Sequence, residues 1–101
     1  MRIYISGPIT GVDNHREKFD AFADIIRSKG HEVVNPCDLD NILSPATTTW
    51  EQYMIADLGL LRCCDAIFLM PGWKESRGAA VEYHEATRLR MLIYNSIEQI
   101  P

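Results

Sequence analysis

The stretch DAIFLMPGWKESRGAAVEYHEATRLRMLIYN, Asp65 to Asn95, decides the fold. It opens on a short apolar run, crosses a loop that begins at Pro71-Gly72, enters a segment of helical spacing from Gly78 to Arg90, and closes on a second β-branched and aromatic run. Strand, helix and strand in that order predict a βαβ unit whose two strands run parallel.

Outward from that unit the same alternation continues. RIYIS (Arg2 to Ser6) reads as a buried strand ended by Gly7-Pro8. A helix follows: Asn14 and Glu17 have the spacing of a capping box, Phe19, Phe22, Ala23 and Ile26 recur at helical intervals, and Gly30 supplies the stop. HEVVNP is a second strand, halted by Pro36. The segment from Cys37 to Thr48 has no clear period and reads as a loop of about a dozen residues, a length that is often functional. Thr49 and Gln52 form a second capping box and open a helix that runs to about Cys63. The residues after Asn95 are too few to assign. The expectation is a single α/β domain over residues 1–101, a doubly wound (flavodoxin-like or Rossmann-like) parallel sheet of four to five strands flanked by helices.

Composition narrows the function classes. A chain of 101 residues that is 47% hydrophobic and 24% charged is an ordinary globular composition, with no run near the roughly 18 apolar residues of a membrane span. The start MRIYISG lacks the pattern of a secretory leader, so a cytoplasmic location is expected, with no membrane partner. A net charge of −4 argues against a nucleic-acid polymer as partner, since such binders concentrate Lys and Arg. Cys37, Cys63 and Cys64 have no metal-ligand spacing and read as free thiols packed in a reduced interior. His15, His31 and His84 read as surface residues. No metal cluster, dinucleotide fingerprint or Ser-His-Asp order is present.

Two acids call for explanation. At 100° per residue the second helix stacks Trp50, Tyr53, Met54, Leu58 and Leu61 in one stripe, and Asp57 falls in its middle. A buried carboxylate is costly, so Asp57 is either a fold-stabilising residue bonded to backbone N–H groups or a chemical group. In the third helix Ala79, Tyr83 and Ala86 form a narrow inward face with Glu82 at its edge; Glu82 is either an exposed acid favoured by the helix dipole or part of a site. In open α/β sheets ligands bind beyond the carboxyl ends of the strands, where both helices begin, so both acids can converge on one crevice. Ser76-Arg77-Gly78 before the third helix offers a hydroxyl, a guanidinium and free N–H groups to an anion, or is only a capped turn. Ser6, Gly7, Pro8 and Ile9 let a ligand approach the backbone after the first strand, or form only a turn. Trp73 either stacks on a base or packs on its own domain.

Three motifs in order, YISGPITG, MIADLGLLRCCDAIFLM and SRGAAVEYHEA, resemble the nucleoside 2-deoxyribosyltransferase superfamily over nearly the whole chain. The likeness is greatest to its small uncharacterised phage and bacterial domains. The resemblance implies that Glu82 is the nucleophile that attacks the anomeric carbon of a deoxyribose, that Asp57 handles the proton of the leaving base, and that Tyr4 lies beside the sugar. It implies further that Ser76 contacts phosphate, as in relatives that hydrolyse deoxynucleoside monophosphates. No metal or organic cofactor is implied. Those transferases complete each site from a neighbouring subunit, so a homodimer or higher oligomer is implied, with Asn95 or Ser96 contributed by the partner. His84 and Arg77 depart from the usual pattern. The resulting expectation is N-glycosidic cleavage or 2-deoxyribosyl transfer on a deoxynucleoside or its 5′-monophosphate, through a covalent glycosyl-glutamate intermediate. The alternative is a nucleotide-sensing module of the same fold without turnover.

Overall fold

A computed structural model describes residues 1–101. Four strands, β1 (Arg2–Ser6), β2 (Glu32–Val34), β3 (Ala66–Leu69) and β4 (Leu92–Tyr94), pair in parallel in the order β2-β1-β3-β4. Three helices, α1 (His15–Ser28), α2 (Trp50–Leu61) and α3 (Arg77–Arg88), form the crossovers. The doubly wound α/β fold is the one expected, at the lower strand count.

Alternate residues of a strand point to opposite faces, and both faces of this sheet are covered. Ile3 and Ile5 of β1, with Ala66 and Phe68, pack against Phe19, Ala23 and Ile26 of α1. Tyr4, Ile67 and Leu69 point the other way, against Leu61 of α2 and Ala86 of α3. The first crossover moves outward to β2, while later ones move to β3 and β4. The chain therefore changes direction between β1 and β3, and their carboxyl ends open a crevice at that switch point.

Gly7 sits where the turn after β1 meets the end of β3. The Met70 N–H donates to the Ser6 carbonyl at 2.8 Å. A Cβ on Gly7 would stand 2.7 Å from Met70 Sδ and 2.8 Å from its Cβ, so only glycine permits this approach.

Several expectations need correction. Asn14 precedes α1 but its side chain makes no capping bond. The Thr49–Gln52 capping box does form, with Thr49 Oγ1 accepting from the Gln52 N–H at 3.1 Å and Gln52 Oε1 accepting from the Thr49 N–H at 2.9 Å. The segment read as a loop from Cys37 begins as a 3-10 helix, Pro36–Asn41, with Asn35 Oδ1 accepting from the Cys37 N–H. A second short 3-10 helix occupies Trp73–Glu75 and a third Ile97–Gln99, which seats Ile100 in the α1-side core. Of the cysteines, Cys37 is buried, Cys64 half-buried and Cys63 exposed, so the thiols are free but not all interior. No helix is long and apolar enough to cross a membrane.

Replacing Gly7 with Ala forces Met70 out of place, and urea unfolding should show a loss of about 1–3 kcal/mol, the usual cost of overpacking. An unchanged midpoint and slope would contradict the close approach.

Candidate active site

A cavity of about 670 Å³ opens at the switch point. Its walls come from three places: Gly7 to Thr10 and Val12 after β1, Trp50, Tyr53, Met54 and Asp57 on α2, and Gly72 with Glu75 to Ala79 and Glu82 at the start of α3. The volume lies within the common range for small-molecule sites.

Glu82 is 5% exposed and Asp57 7%. Glu82 reaches the floor because Ala79 and Ala86, one turn to either side, bring α3 close to the sheet. There Tyr4 Oη donates to Glu82 Oε2, and Ser6 Oγ donates to Oε1 at 2.6 Å. Tyr4 and Ser6 are successive members of the same face of β1, both fully buried, so strand periodicity alone aims two hydroxyls at one carboxylate. Both alternatives raised for Glu82 are thereby separated: it is interior, not a surface acid at a helix start. Asp57 has no such partner. Its Oδ1 is buried without a hydrogen bond, which removes the reading of an aspartate tied to backbone N–H groups.

Burial pushes both carboxyls above their ordinary range. For Asp57, desolvation dominates and a hydrogen bond toward Glu82 opposes it. For Glu82, desolvation comes first, the charge of Asp57 adds to it, the hydroxyls of Ser6 and Tyr4 pull back, and the hydrogen bond with Asp57 raises it again. The Tyr4 hydroxyl is itself held well above its usual value by burial and then by Glu82, so it acts as a donor throughout the accessible range.

Over residues 1–95 the sequence matches the family described as a domain of unknown function, DUF4406. The chain belongs to that family. A solved structure, the 2-desoxiribosyltransferase from Leishmania mexicana, is similar to this DUF4406 domain with a TM-score of 0.68 at 21% identity. The match covers 91% of this chain and 61% of that one, so the domain spans about three fifths of that enzyme's length. No curated protein matches. The likeness bears out the deoxyribosyltransferase-like, Rossmann-like fold that the three motifs resemble.

The structure brings together most of the residues singled out in the sequence of this DUF4406 domain. Gly7, Pro8, Ile9, Asp57, Ser76, Arg77, Gly78 and Glu82 line the cavity, while Tyr4 and Ser6 lie beneath it on Glu82. Two do not join them. Trp73 packs on Tyr83, with ring centroids 4.6 Å apart, and lies outside the cavity. Asn95 is exposed beyond β4, where its N–H donates to Gln99 Oε1, and lies outside the cavity of its own chain. Ser76 caps α3, its Oγ accepting from the Ala79 N–H at 3.2 Å. Trp50, Tyr53, Met54 and Glu75 are cavity residues that sequence reasoning placed in a core stripe or left in a loop. Tyr53 Oη is steered by Asp40, to which it donates at 3.1 Å.

The two raised carboxyls give a pH signature with a definite sign. Each binds its proton more tightly folded than unfolded, so their contribution is fully present below the unfolded values near 4 and is lost as pH rises through about 7 to 8. Glu85 works in the opposite sense: Arg88 and Arg62 hold its carboxyl at about 2, so its contribution fades only in acid. Thermal stability of this domain should therefore be greatest near pH 5 and fall by about 1–3 kcal/mol toward pH 8.5. Asp57→Asn should flatten that fall and raise the melting temperature at pH 8; a wild-type profile level across the same interval would refute it.

Proposed function

We propose that this domain cleaves the N-glycosidic bond of a 2-deoxynucleoside or its 5′-monophosphate, passing the deoxyribosyl group through Glu82 to water or to a second base. The observation that supports it is the pairing of two buried acids at one cavity, one bonded by two hydroxyls and the other with an oxygen, Oδ1, that has no partner. The fold shared with a deoxyribosyltransferase supports it further.

The hydrogen bonds support one division of roles. Near neutral pH two adjacent buried carboxyls share about one negative charge, because two charges at that depth repel. Tyr4 and Ser6 donate to Glu82 and favour the charge there, so the proposed reaction starts with the proton on Asp57, whose buried Oδ1 has no donor, although burial raises the Glu82 carboxyl at least as far. In the first step a Glu82 oxygen bonds to the anomeric carbon as the C–N bond breaks, and the electron pair leaves with the base. Asp57 delivers its proton to that base, so the leaving group departs neutral. In the second step water attacks the same carbon, its proton passes to the Asp57 carboxylate, and the Glu82–sugar ester bond breaks to restore the carboxylate. A second base in place of water gives transfer. The hydroxyls orient Glu82 and accommodate its changing charge through the oxocarbenium-like transition state.

Incubation with each deoxynucleoside and each 5′-monophosphate, followed by chromatography, should show free base. Glu82→Ala should abolish release, Asp57→Asn should slow it by roughly 10²–10⁴-fold, and rapid quenching should trap a deoxyribosyl adduct on the peptide that contains Glu82. Tight binding with no base released from any of these compounds would instead make the domain a sensor.

A further inference from the structure

The outward side of α2 does not look like a face made for water. At 100° per residue Met54, Asp57 and Leu61 point inward, and Gln52, Ile55, Ala56 and Gly59 share the opposite sector, about 100° wide. No charged residue falls in that sector over about two turns. The outward side of α1, by contrast, exposes Glu17, Lys18, Asp20, Asp24 and Arg27. Ile55 is 75% exposed. A helix that is uncharged on its outer side as well as its inner one belongs between two packed layers, and this chain supplies only one of them.

Gly59 adds to the anomaly. It lies inside α2, its φ is not positive, and a Cβ there would meet no atom within 4 Å. Neither the backbone nor the packing of this chain requires glycine, although glycine inside a helix is less stable than alanine. The bare backbone leaves a shallow hollow one turn from the protruding Ile55.

The charges at the two ends of α2 identify the molecule that fits. Glu51 and Arg62 are both exposed and lie on one flank of the sector, about 20° apart around the axis and about 16 Å apart along it. Glu51 has no ion pair in its own chain. Arg62 uses Nε and Nη2 on Glu85 and keeps Nη1 free of that contact. When a second α2 lies antiparallel across a two-fold axis, each flank meets the same flank of its mate with the direction reversed. Glu51 then faces the partner's Arg62, and Ile55 enters beside the partner's Gly59. One register, with the axis between Ala56 and Asp57, satisfies both contacts twice. Such self-complementarity is what an isologous interface demands.

We infer that the outward face of α2 is a docking surface for a second copy of this chain, which packs its own α2 there antiparallel in a two-fold dimer. The contact lies on the side of α2 away from Asp57 and uses neither Asn95 nor Ser96, so it is independent of the proposed function. One helix face of this length falls well short of the roughly 800 Å² per partner of a stable complex, which makes the dimer a weak one, with a Kd on the order of 10⁻⁵ to 10⁻⁴ M.

The test is sedimentation of the intact protein from about 1 μM, where it should be monomeric, to about 1 mM, where it should be mostly dimeric. Ile55→Glu and Gly59→Leu should each abolish association. Gly59→Leu should at the same time raise the melting temperature of the dilute protein, because leucine favours the helix and meets nothing in the monomer. Glu51→Arg should weaken the dimer about tenfold, and added salt should weaken the wild-type dimer. Cross-linking with diamide as oxidant reads the register. In a Cys63→Ser background, Ala56→Cys stands next to the axis and should join two chains, whereas native Cys63, exposed just past the end of α2, is about 20 Å from its mate along the helices and should not. A protein monomeric throughout, a dimer that survives both Ile55→Glu and Gly59→Leu, or chains joined through native Cys63 as fast as in the Ala56→Cys variant would each overturn the inference.

Discussion

A carboxylate pressed against the floor of a sheet and held by two hydroxyls from one strand is the constraint on which the rest of this structure turns. Glu82 can occupy that place only if α3 lies close to β1, which Ala79 and Ala86 permit and larger side chains would not. It can remain there only if its oxygens have donors, because an unsolvated carboxylate without them costs several kcal/mol. Tyr4 and Ser6 provide them by strand alternation alone, while Ile3 and Ile5 between them secure the opposite face. One strand of five residues thus builds a core on one side and a polar anchor on the other.

The second acid is positioned by different means. α2 is started by the Thr49–Gln52 capping box and joined to α3 near its far end, where Arg62 and Arg88 both bond Glu85, whose side chain is 10% exposed. At the near end Gly78 lets α3 approach, a Cβ there being 3.3 Å from Met54 Sδ. The two helices are therefore tied at one end and in close contact at the other, and Asp57 is fixed between those points on the inward side of α2. Polar contacts near the far end and a small residue at the near end leave the middle free for a cavity instead of a packed seam.

Much of this was legible in the sequence. The strand–helix alternation gave the parallel sheet, and the stripe through Tyr53 and Leu61 put Asp57 inside, because periodicity reports which way a residue faces. Periodicity does not report what it faces. Trp50 and Tyr53 share the angular sector of Leu61, yet they border open space while Leu61 meets Ile67 and Tyr4. The difference arises because α2 overhangs the end of the sheet at its start and covers it only later. Asn14 and Thr49 show a second limit: both have the spacing of a capping box, but only Thr49 itself adopts the extended conformation that turns the side chain to the helix start. Trp73 had two readings, with packing on its own domain the favoured one, and its stacking on the Tyr83 ring agrees with that.

The asymmetry between the two acids follows from the same geometry. β1 ends at Ser6, so it has two hydroxyls on this face and both are used by Glu82. None is left for Asp57. A fold that needed only stability would replace an unpartnered buried oxygen with an apolar group or give it a donor, since leaving it bare costs about 1–3 kcal/mol. Here the bare oxygen belongs to a residue of the cavity wall. Burial and the lack of a donor act in the same direction on Asp57, and together they hold its carboxyl above its ordinary range.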